Sequence, residues 1–172
     1  MKINVIGAGT WGIIMSTYLS RNGHDVLVYH RCTERSKKLI KSYVHPSLPE
    51  HRIPEKIQFT SNVNKFDPNS LILLAIPTHA ISDCLTKFEE KNYKYLVLSK
   101  GFDFNTGLLP SELLIQKFNI DIRNIAFLSG PNHAEEIVQY KPTASIISSI
   151  NDAFSKKLQF LFASETFRVY TS

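Results

Sequence analysis

The stretch that decides the fold is Lys2–Gly12, KINVIGAGTWG, in which an apolar strand runs directly into the pattern G-A-G-T-W-G. In a dinucleotide-binding turn each glycine has its own task. Gly7 permits the tight turn off the strand, Gly9 lets the backbone approach a pyrophosphate, and Gly12 lets the next helix pack closely on the sheet. A helical pattern and a second strand, Asp25–His30, follow. This context favours a nucleotide-binding βαβ unit over an ordinary glycine turn, with the pyrophosphate against the N–H groups at the helix start.

The composition is that of a globular domain. The chain has 172 residues, of which 43% are hydrophobic and 20% charged. No apolar run approaches the ~20 residues that a membrane span needs, and the first residues show no signal-peptide pattern. We therefore expect a cytoplasmic protein that does not insert into a membrane. Cys32 and Cys84 are expected to be unpaired thiols, and the six scattered histidines predict no metal site.

The net charge is +5, and the densest run of basic residues begins at Arg31. A nucleic-acid patch is one interpretation of this run. It has no interleaved aromatic residues, and Leu39 and Ile40 in the same segment are expected to face inward, so we predict no nucleic-acid partner. A solvated helix face is the simpler interpretation, and a place beside the nucleotide crevice is the third. The basic residues are Arg31, Arg35, Lys37, Lys38 and Lys41.

Strand and helix patterns alternate along the chain, which is typical of a doubly wound α/β sheet. Apolar runs without alternation indicate parallel strands that are covered on both faces. We therefore predict a mostly parallel sheet in one Rossmann-type dinucleotide-binding domain over residues 1–172, with a proline-rich loop at 44–56. The predicted strands are Lys2–Ile6, Val26–His30, Ser70–Ile76, Tyr95–Ser99, Ile125–Ser129, Thr143–Ser148 and Phe167–Thr171. The predicted helices lie near 11–22, 33–43, 79–91, 110–118, 133–140 and 152–163.

Ligands of such sheets gather at the carboxyl ends of the strands. Small, polar or cationic residues follow the predicted strands, and Thr78 is expected to cap the helix after its strand. His79 and His133 are acid–base candidates, although a structural histidine is the simpler interpretation of each. The residues at the strand ends are Thr10-Trp11, His30-Arg31, Pro77-Thr78-His79, Lys100-Gly101 and Gly130-Pro131-Asn132-His133-Ala134.

The end of the second strand indicates which cofactor binds. An NAD-specific site usually has an acidic residue about 20 residues past the glycines to bond the ribose 2′-hydroxyl. Here His30 and Arg31 occupy that place, with Arg35 close behind, and Glu34 lies too far along the helix. A cation there suits a 2′-phosphate, so we predict NADP(H) in preference to NAD(H). The alternative is that Arg31 only extends from a surface strand end into solvent.

Two further positions could hold an anionic substrate. Lys100 leaves a buried strand and would place a point charge in the crevice, unless it is an ordinary exposed lysine. The segment Ser129–Asn132 offers backbone N–H groups at a helix start, although it could equally be a turn with a cap.

Taken together, the motifs resemble those of one family, the bacterial NAD(P)-dependent glycerol-3-phosphate dehydrogenases. Their order and spacing match from residue 2 to residue 172, which is far more specific than the glycine pattern alone. The resemblance implies reversible hydride transfer between NAD(P)H and dihydroxyacetone phosphate, giving sn-glycerol 3-phosphate for phospholipid synthesis. The matching blocks are G-A-G-T-W-G, R-N-G-H-D-V, L-L-A-I-P-T-H-A, S-K-G-F, S-G-P-N-H-A-E-E, K-P-T-A and T-F-R-V-Y-T-S.

The resemblance also implies roles for individual residues. Beside the three glycines, Thr10, Trp11, Arg31 and Ala134 would bind the cofactor. Lys100 would touch both cofactor and substrate, and Gly130 and Asn132 would bind the substrate.

The chain departs from the family pattern in three respects. Asn132-His133 stands where the family commonly has Ser or Thr and then Phe; asparagine keeps a donor and an acceptor, so binding should survive. His45–Pro54 differs from the usual Asn-x-x-Tyr-Leu-Pro-Gly pattern, which leaves the cofactor contacts of that segment open. The proton-donating lysine of the family lies in a helical second domain beyond Ser172, so we expect no catalytic residue within this chain.

We therefore expect the NADP(H)-binding domain of a glycerol-3-phosphate dehydrogenase, whose full-length form can assemble as a homodimer. Other dehydrogenases with a helical second domain, such as those for 6-phosphogluconate or hydroxyacyl substrates, are alternatives, but they are not expected to carry S-K-G and S-G-P-N-H-A-E-E together. A noncatalytic nucleotide sensor is the alternative from another functional class.

Overall fold

The computed structural model describes residues 1–88 and 93–172, which form ten strands and six α-helices. The strands are β1 (Lys2–Ile6), β2 (Asp25–Tyr29), β3 (Val44–His45), β4 (Leu48–Arg52), β5 (Gln58–Thr60), β6 (Leu71–Leu74), β7 (Lys94–Val97), β8 (Ile125–Ser129), β9 (Thr143–Ser148) and β10 (Phe167–Thr171). The helices are α1 (Thr10–Arg21), α2 (Thr33–Ser42), α3 (Ile81–Leu85), α4 (Pro110–Glu112), α5 (Ala134–Val138) and α6 (Asp152–Phe162).

Eight strands form one sheet in the order β10-β9-β8-β7-β6-β1-β2-β5. Every neighbouring pair is parallel except β8 and β9, which are antiparallel. The strand order reverses direction at β1, since β2 lies on one side of it and β6 on the other. The predicted doubly wound, mostly parallel sheet is therefore confirmed.

The sheet has a hydrophobic cluster on each face, which explains why its strands are apolar at successive positions. In β6, Leu71 and Leu73 belong to the cluster that contains α1 and α6, whereas Ile72 and Leu74 belong to the cluster that contains α3. Successive side chains point to opposite faces of a strand, so a strand covered on both sides loses the usual alternation.

The predicted loop over residues 44–56 is wrong in part, because β3 and β4 form an antiparallel hairpin there. Tyr43, at the end of α2, has a φ of 51° and turns the chain into the hairpin. Leu48 and Ile53 are buried and anchor it on the α1 face of the sheet. Pro49 is compatible with β4 because this strand pairs on one side only, and a proline at an edge forfeits no ladder hydrogen bond.

Three predictions about the helices also need correction. The predicted helix at 79–91 is a 3₁₀ turn, Thr78–Ala80, followed by the short α3, while residues 89–92 lie outside the described part of the chain. Thr78 does not cap it; its hydroxyl donates to the Lys100 carbonyl oxygen at 2.9 Å instead. Ile40, expected to face inward, is 43% exposed, whereas Leu39 is buried as expected. Within the described ranges, none of the helices has the length and apolar character that crossing a membrane requires.

Candidate functional site

The turn after β1 depends on two glycines that pack against backbone. Gly7 has a φ of +115°, and its N–H donates to the Tyr29 carbonyl oxygen at 3.1 Å. A Cβ on Gly7 would overlap the Ala75 carbonyl oxygen, and a Cβ on Gly12 would overlap the Gly7 carbonyl oxygen. These two positions therefore set the tight turn and the close approach of α1 to the sheet.

Gly9 is in a different situation, because a Cβ built on it meets no atom within 4 Å. Gly9 precedes α1 and accepts a hydrogen bond from the Ile13 N–H at 2.9 Å, but it has no side chain to cap the helix. The N–H groups of Thr10 and Trp11 in the first turn have no partner within the helix. The result is an open cradle with free backbone donors at the positive end of a helix of 12 residues, which fits a pyrophosphate.

A cleft of about 370 Å³ adjoins this turn. Its floor is apolar, with Ile6 and Ala75 from the ends of β1 and β6, and Tyr29 at the end of β2. Arg31 and Arg35 stand at its rim. Because the glycine turn lines the same cleft, a dinucleotide whose pyrophosphate lies at Gly9 would place one nucleoside here.

The charges at the end of β2 are cationic. Arg31 and Arg35 are both exposed, and Glu34 forms an ion pair with Lys37 at 3.1 Å. Nδ1 of His30 lies 2.9 Å from the Cys32 backbone nitrogen and 3.2 Å from the Cys32 carbonyl oxygen, so the backbone of Cys32 orients the ring. Burial lowers the pKa of His30, and the nearby positive charges of Arg35 and Arg31 also lower it. The place where an NAD site usually has an acid therefore holds a histidine and two arginines.

Lys100 follows β7, two strands away from β1, and its side chain is exposed. The hydrogen bond from Thr78 fixes its carbonyl oxygen, and Gly101 behind it has a φ of +81°. Lys100 is therefore held by its backbone at the same edge of the sheet as Gly9, while its ammonium group can reach a ligand.

The turn Gly130–Asn132 follows β8, the next strand along the sheet. The side-chain amide nitrogen of Asn132 donates two hydrogen bonds to β9, one to the Thr143 hydroxyl at 2.6 Å and one to the Ala144 carbonyl oxygen at 2.9 Å. The side-chain amide oxygen of Asn132 accepts a hydrogen bond from the Ser145 hydroxyl at 2.9 Å. A Cβ on Gly130 would overlap this amide oxygen, so the glycine is required for the packing of Asn132.

The predicted residues therefore fall into two groups along one edge of the sheet. The glycine turn and Arg31 line one continuous cleft, whereas Lys100 and the Gly130–Asn132 turn follow the neighbouring strands β7 and β8. Ala134 begins α5 and packs with Trp11 against the core cluster on the α1 face. In the two described ranges, no group of three His, Cys, Asp or Glu side chains could hold a metal ion.

Sequence reasoning did not place an aromatic pair at the mouth of the cleft. The rings of His79, which lines the cleft, and Phe104 stack at 5.2 Å with an interplanar angle of 19°. Phe104 is nevertheless 84% exposed. The stack joins two segments that are 25 residues apart, so no local pattern could have revealed it.

Comparison with known proteins agrees with this geometry. A family model described as "NAD-dependent glycerol-3-phosphate dehydrogenase N-terminus" matches residues 2–155. Similar relatives are the glycerol-3-phosphate dehydrogenases [NAD(P)+] of Thermoanaerobacter sp. strain X514, 32% identical over 99% of this chain and 52% of its own, and of Thermotoga sp. strain RQ2, 33% identical over 99% of this chain and 51% of its own.

Solved structures share the fold. The glycerol-3-phosphate dehydrogenase of Coxiella burnetii superposes with a TM-score of 0.85 at 23% identity, covering 99% of this chain and 53% of that one. The Plasmodium falciparum enzyme gives 0.84 at 20% identity, over 100% of this chain and 52% of that one. The chain spans about half the length of the relatives it matches.

Proposed function

Because the chain belongs to the family of N-terminal domains of NAD-dependent glycerol-3-phosphate dehydrogenases, we propose that it binds NADP(H) and supplies half of the substrate site of such an enzyme. The whole enzyme would interconvert dihydroxyacetone phosphate and sn-glycerol 3-phosphate, which serves phospholipid synthesis. The observation that carries the proposal is the open cradle at Gly9, at the start of α1 and beside a cationic cleft.

The charges at the cleft support NADP(H) over NAD(H), which remains the secondary cofactor. A 2′-phosphate adds negative charge to the ribose that would lie at the end of β2, where Arg31 and Arg35 stand. Glu34, the nearest carboxylate in sequence, is engaged by Lys37 and does not line the cleft. Asp83 does line the cleft, but it comes from α3 and not from the end of β2. Arg31 is therefore proposed to bind the 2′-phosphate.

Replacing Arg31 by alanine should weaken NADPH binding much more than NADH binding. The expected loss is that of a charge-assisted hydrogen bond, about 1.5–3 kcal/mol, or roughly 10- to 150-fold in affinity for NADPH alone. Calorimetric titration with both cofactors measures it. Lys156→Ala, which removes an exposed cation on α6 that does not line the cleft, is the matched control. Equal losses for NADPH and NADH would show that Arg31 does not recognise the 2′-phosphate.

The substrate contacts would come from Lys100 and the Gly130–Asn132 turn. NADP(H), when bound, supplies or accepts the hydride. Lys100 offers a mobile positive charge for a phosphate or a carbonyl oxygen. In the turn, the backbone N–H groups and the second lone pair of the Asn132 amide oxygen remain for a substrate, because both amide hydrogens are held by β9.

The proton for the new hydroxyl group is proposed to come from outside these residues. A general acid must lie within about 3 Å of the reacting oxygen. His79 lines the nucleoside cleft, and its ring is stacked on Phe104. The relatives are about twice as long, and we propose that the donor is a lysine in a second half of that kind.

A polypeptide limited to these 172 residues should bind NADPH but reduce dihydroxyacetone phosphate negligibly. A longer protein that includes a second half like that of its relatives should be active, and Lys100→Ala should cost it both substrate affinity and turnover rate. NADPH absorbance follows the reaction. Robust turnover by the short polypeptide, unaffected by Lys100→Ala, would place the chemistry on other residues, and binding without turnover by the longer protein would favour a nucleotide sensor.

Cytoplasmic location and a homodimeric whole enzyme belong to the same proposal. The two thiols, Cys32 and Cys84, are free in the structure, as is usual in a reducing compartment. Cell fractionation and sedimentation of the whole protein are the direct measurements.

A further inference from the structure

The base of a nucleoside in the cleft beside the glycine turn has a restricted place to lie. The proposed function puts the pyrophosphate at Gly9 and the 2′-phosphate at Arg31, and both groups are attached to the ribose of adenosine. These two contacts hold the ribose near the ends of β1 and β2. The base on that ribose therefore extends along the rest of the cleft, toward residues 77–84 after β6.

The surface that the base would meet there is apolar. Ala75 and Ile76 at the end of β6, and Ala80 before α3, line this part of the cleft. Cys84 lines it as well, and burial raises the pKa of its thiol to about 11, so the thiol is neutral and behaves as a small apolar group. A flat base can pack on this surface, but packing alone does not distinguish one purine from another.

One carboxylate stands beside this apolar surface. Asp83 lines the cleft from α3, and no other described residue that lines it is acidic. Its orientation follows from the sequence of α3, because Ile81 and Leu85, four residues apart, are buried in the core cluster on that face of the sheet. Asp83 lies between them in sequence and is exposed, so its side chain projects away from the core and into the cleft.

The carboxylate of Asp83 is available to a ligand. In the described part of the chain, this side chain has neither an ion pair nor a hydrogen bond, and only its backbone carbonyl oxygen accepts one, from the Thr86 hydroxyl at 3.0 Å. Three cations line the same cleft without pairing with it, Arg31, Arg35 and Lys87. An ionised carboxylate only accepts hydrogen bonds, so the ligand group that fits it is an N–H donor.

We propose that Asp83 determines the specificity of the cofactor site for its base, by accepting a hydrogen bond from the exocyclic amino group of adenine. The inference rests on the proposed function, since adenine is the base of NADP(H) and of NAD(H). Hypoxanthine carries a carbonyl oxygen in place of this amino group, and its lone pairs would face the carboxylate. Asp83 thus selects the base in both cofactors, whereas Arg31 distinguishes one cofactor from the other.

The test is calorimetric titration with NADPH and with reduced nicotinamide hypoxanthine dinucleotide phosphate, which differ only in the base. The unmodified protein should bind NADPH about tenfold more tightly, as expected for one charge-assisted hydrogen bond in a solvent-accessible cleft. Asp83→Asn should bind the two within about twofold of each other, because an amide offers either an acceptor or a donor. Removing a negative charge shifts both affinities together, so their ratio isolates the recognition of the base.

Asp25→Asn is the matched control, since Asp25 is exposed at the start of β2, the end of the strand away from the cleft. It should keep the preference of the unmodified protein. Equal affinities of the unmodified protein for the two dinucleotides, an unchanged ratio in Asp83→Asn, or the same loss of preference in Asp25→Asn would each overturn the inference while NADPH binding itself stands. Failure of the unmodified protein to bind either dinucleotide would refute the proposed function, and the inference with it.

Discussion

Replacing Gly9 by valine is expected to abolish NADPH binding while the protein stays folded. No atom lies within 4 Å of a Cβ at this position, and the backbone of Gly9 is extended, with a φ of −76°, so a residue with a Cβ is compatible with the free protein. The same space is where the pyrophosphate must approach the N–H groups of Thr10 and Trp11. The valine would fill it and separate the phosphates from their donors. We expect affinity to fall by at least two orders of magnitude, since several charge-assisted hydrogen bonds are lost at once.

Fluorescence titration with NADPH measures the loss, and thermal unfolding followed by circular dichroism checks the fold. Gly23→Val is a suitable control, since Gly23 also has open space around its Cβ position but lies at the far end of α1. It has a φ of +85°, so this control carries some strain and tests stability more severely than Gly9→Val does. Unchanged NADPH affinity in Gly9→Val would remove the glycine turn from the cofactor site.

Gly12→Ala should have the reverse effect and damage the fold itself. Its Cβ would overlap the Gly7 carbonyl oxygen and press on the Ala75 side chain, so α1 would have to move away from the sheet. Forcing a group into a packed site of this kind costs about 3 kcal/mol. For a chain of this size that corresponds to a melting temperature lower by roughly 6–12 °C.

Thermal melts of Gly12→Ala and Gly9→Ala compare the two positions directly. Both exchanges add a single methyl group, at the N-cap of α1 for Gly9 and inside its first turn for Gly12. Gly9→Ala should leave the melting temperature nearly unchanged. Equal midpoints for the two variants would contradict the close packing of Gly12 against Gly7.

The sheet could be predicted from sequence because the apolar pattern of its strands is visible in short stretches of the chain. β6 is apolar at all four positions and buried on both faces, and β8, β9 and β10 have the bounds that their patterns predict. The hairpin strand β4 reads LPEHR, with four of its five residues polar or proline, so nothing in its pattern marks it as a strand. Its position is fixed by Leu48 and Ile53 packing on distant residues, which is a tertiary effect.

The same distinction applies to the site. The glycine turn and the cations at the end of β2 could be predicted because each is a short stretch that follows a recognisable strand. The stack of His79 on Phe104 and the three hydrogen bonds of Asn132 could not, because each joins segments that only the folded sheet brings together. For Asn132 the structure adds a positioning role that the residue type alone does not reveal.

The reversed strand β9 determines how the Gly130–Asn132 turn is supported. In an all-parallel sheet, the neighbour of β8 would end at this edge and give way to a loop. Because β9 runs the opposite way, its first residues begin here and extend past Ser129, whose register partner is Ile146. Thr143, Ala144 and Ser145 thus lie beside the turn, and each forms a hydrogen bond with the side chain of Asn132. The proposed substrate contacts therefore lie in a loop that the strand β9 holds in place. We expect this loop to be as rigid as the sheet, whereas connecting segments are usually mobile.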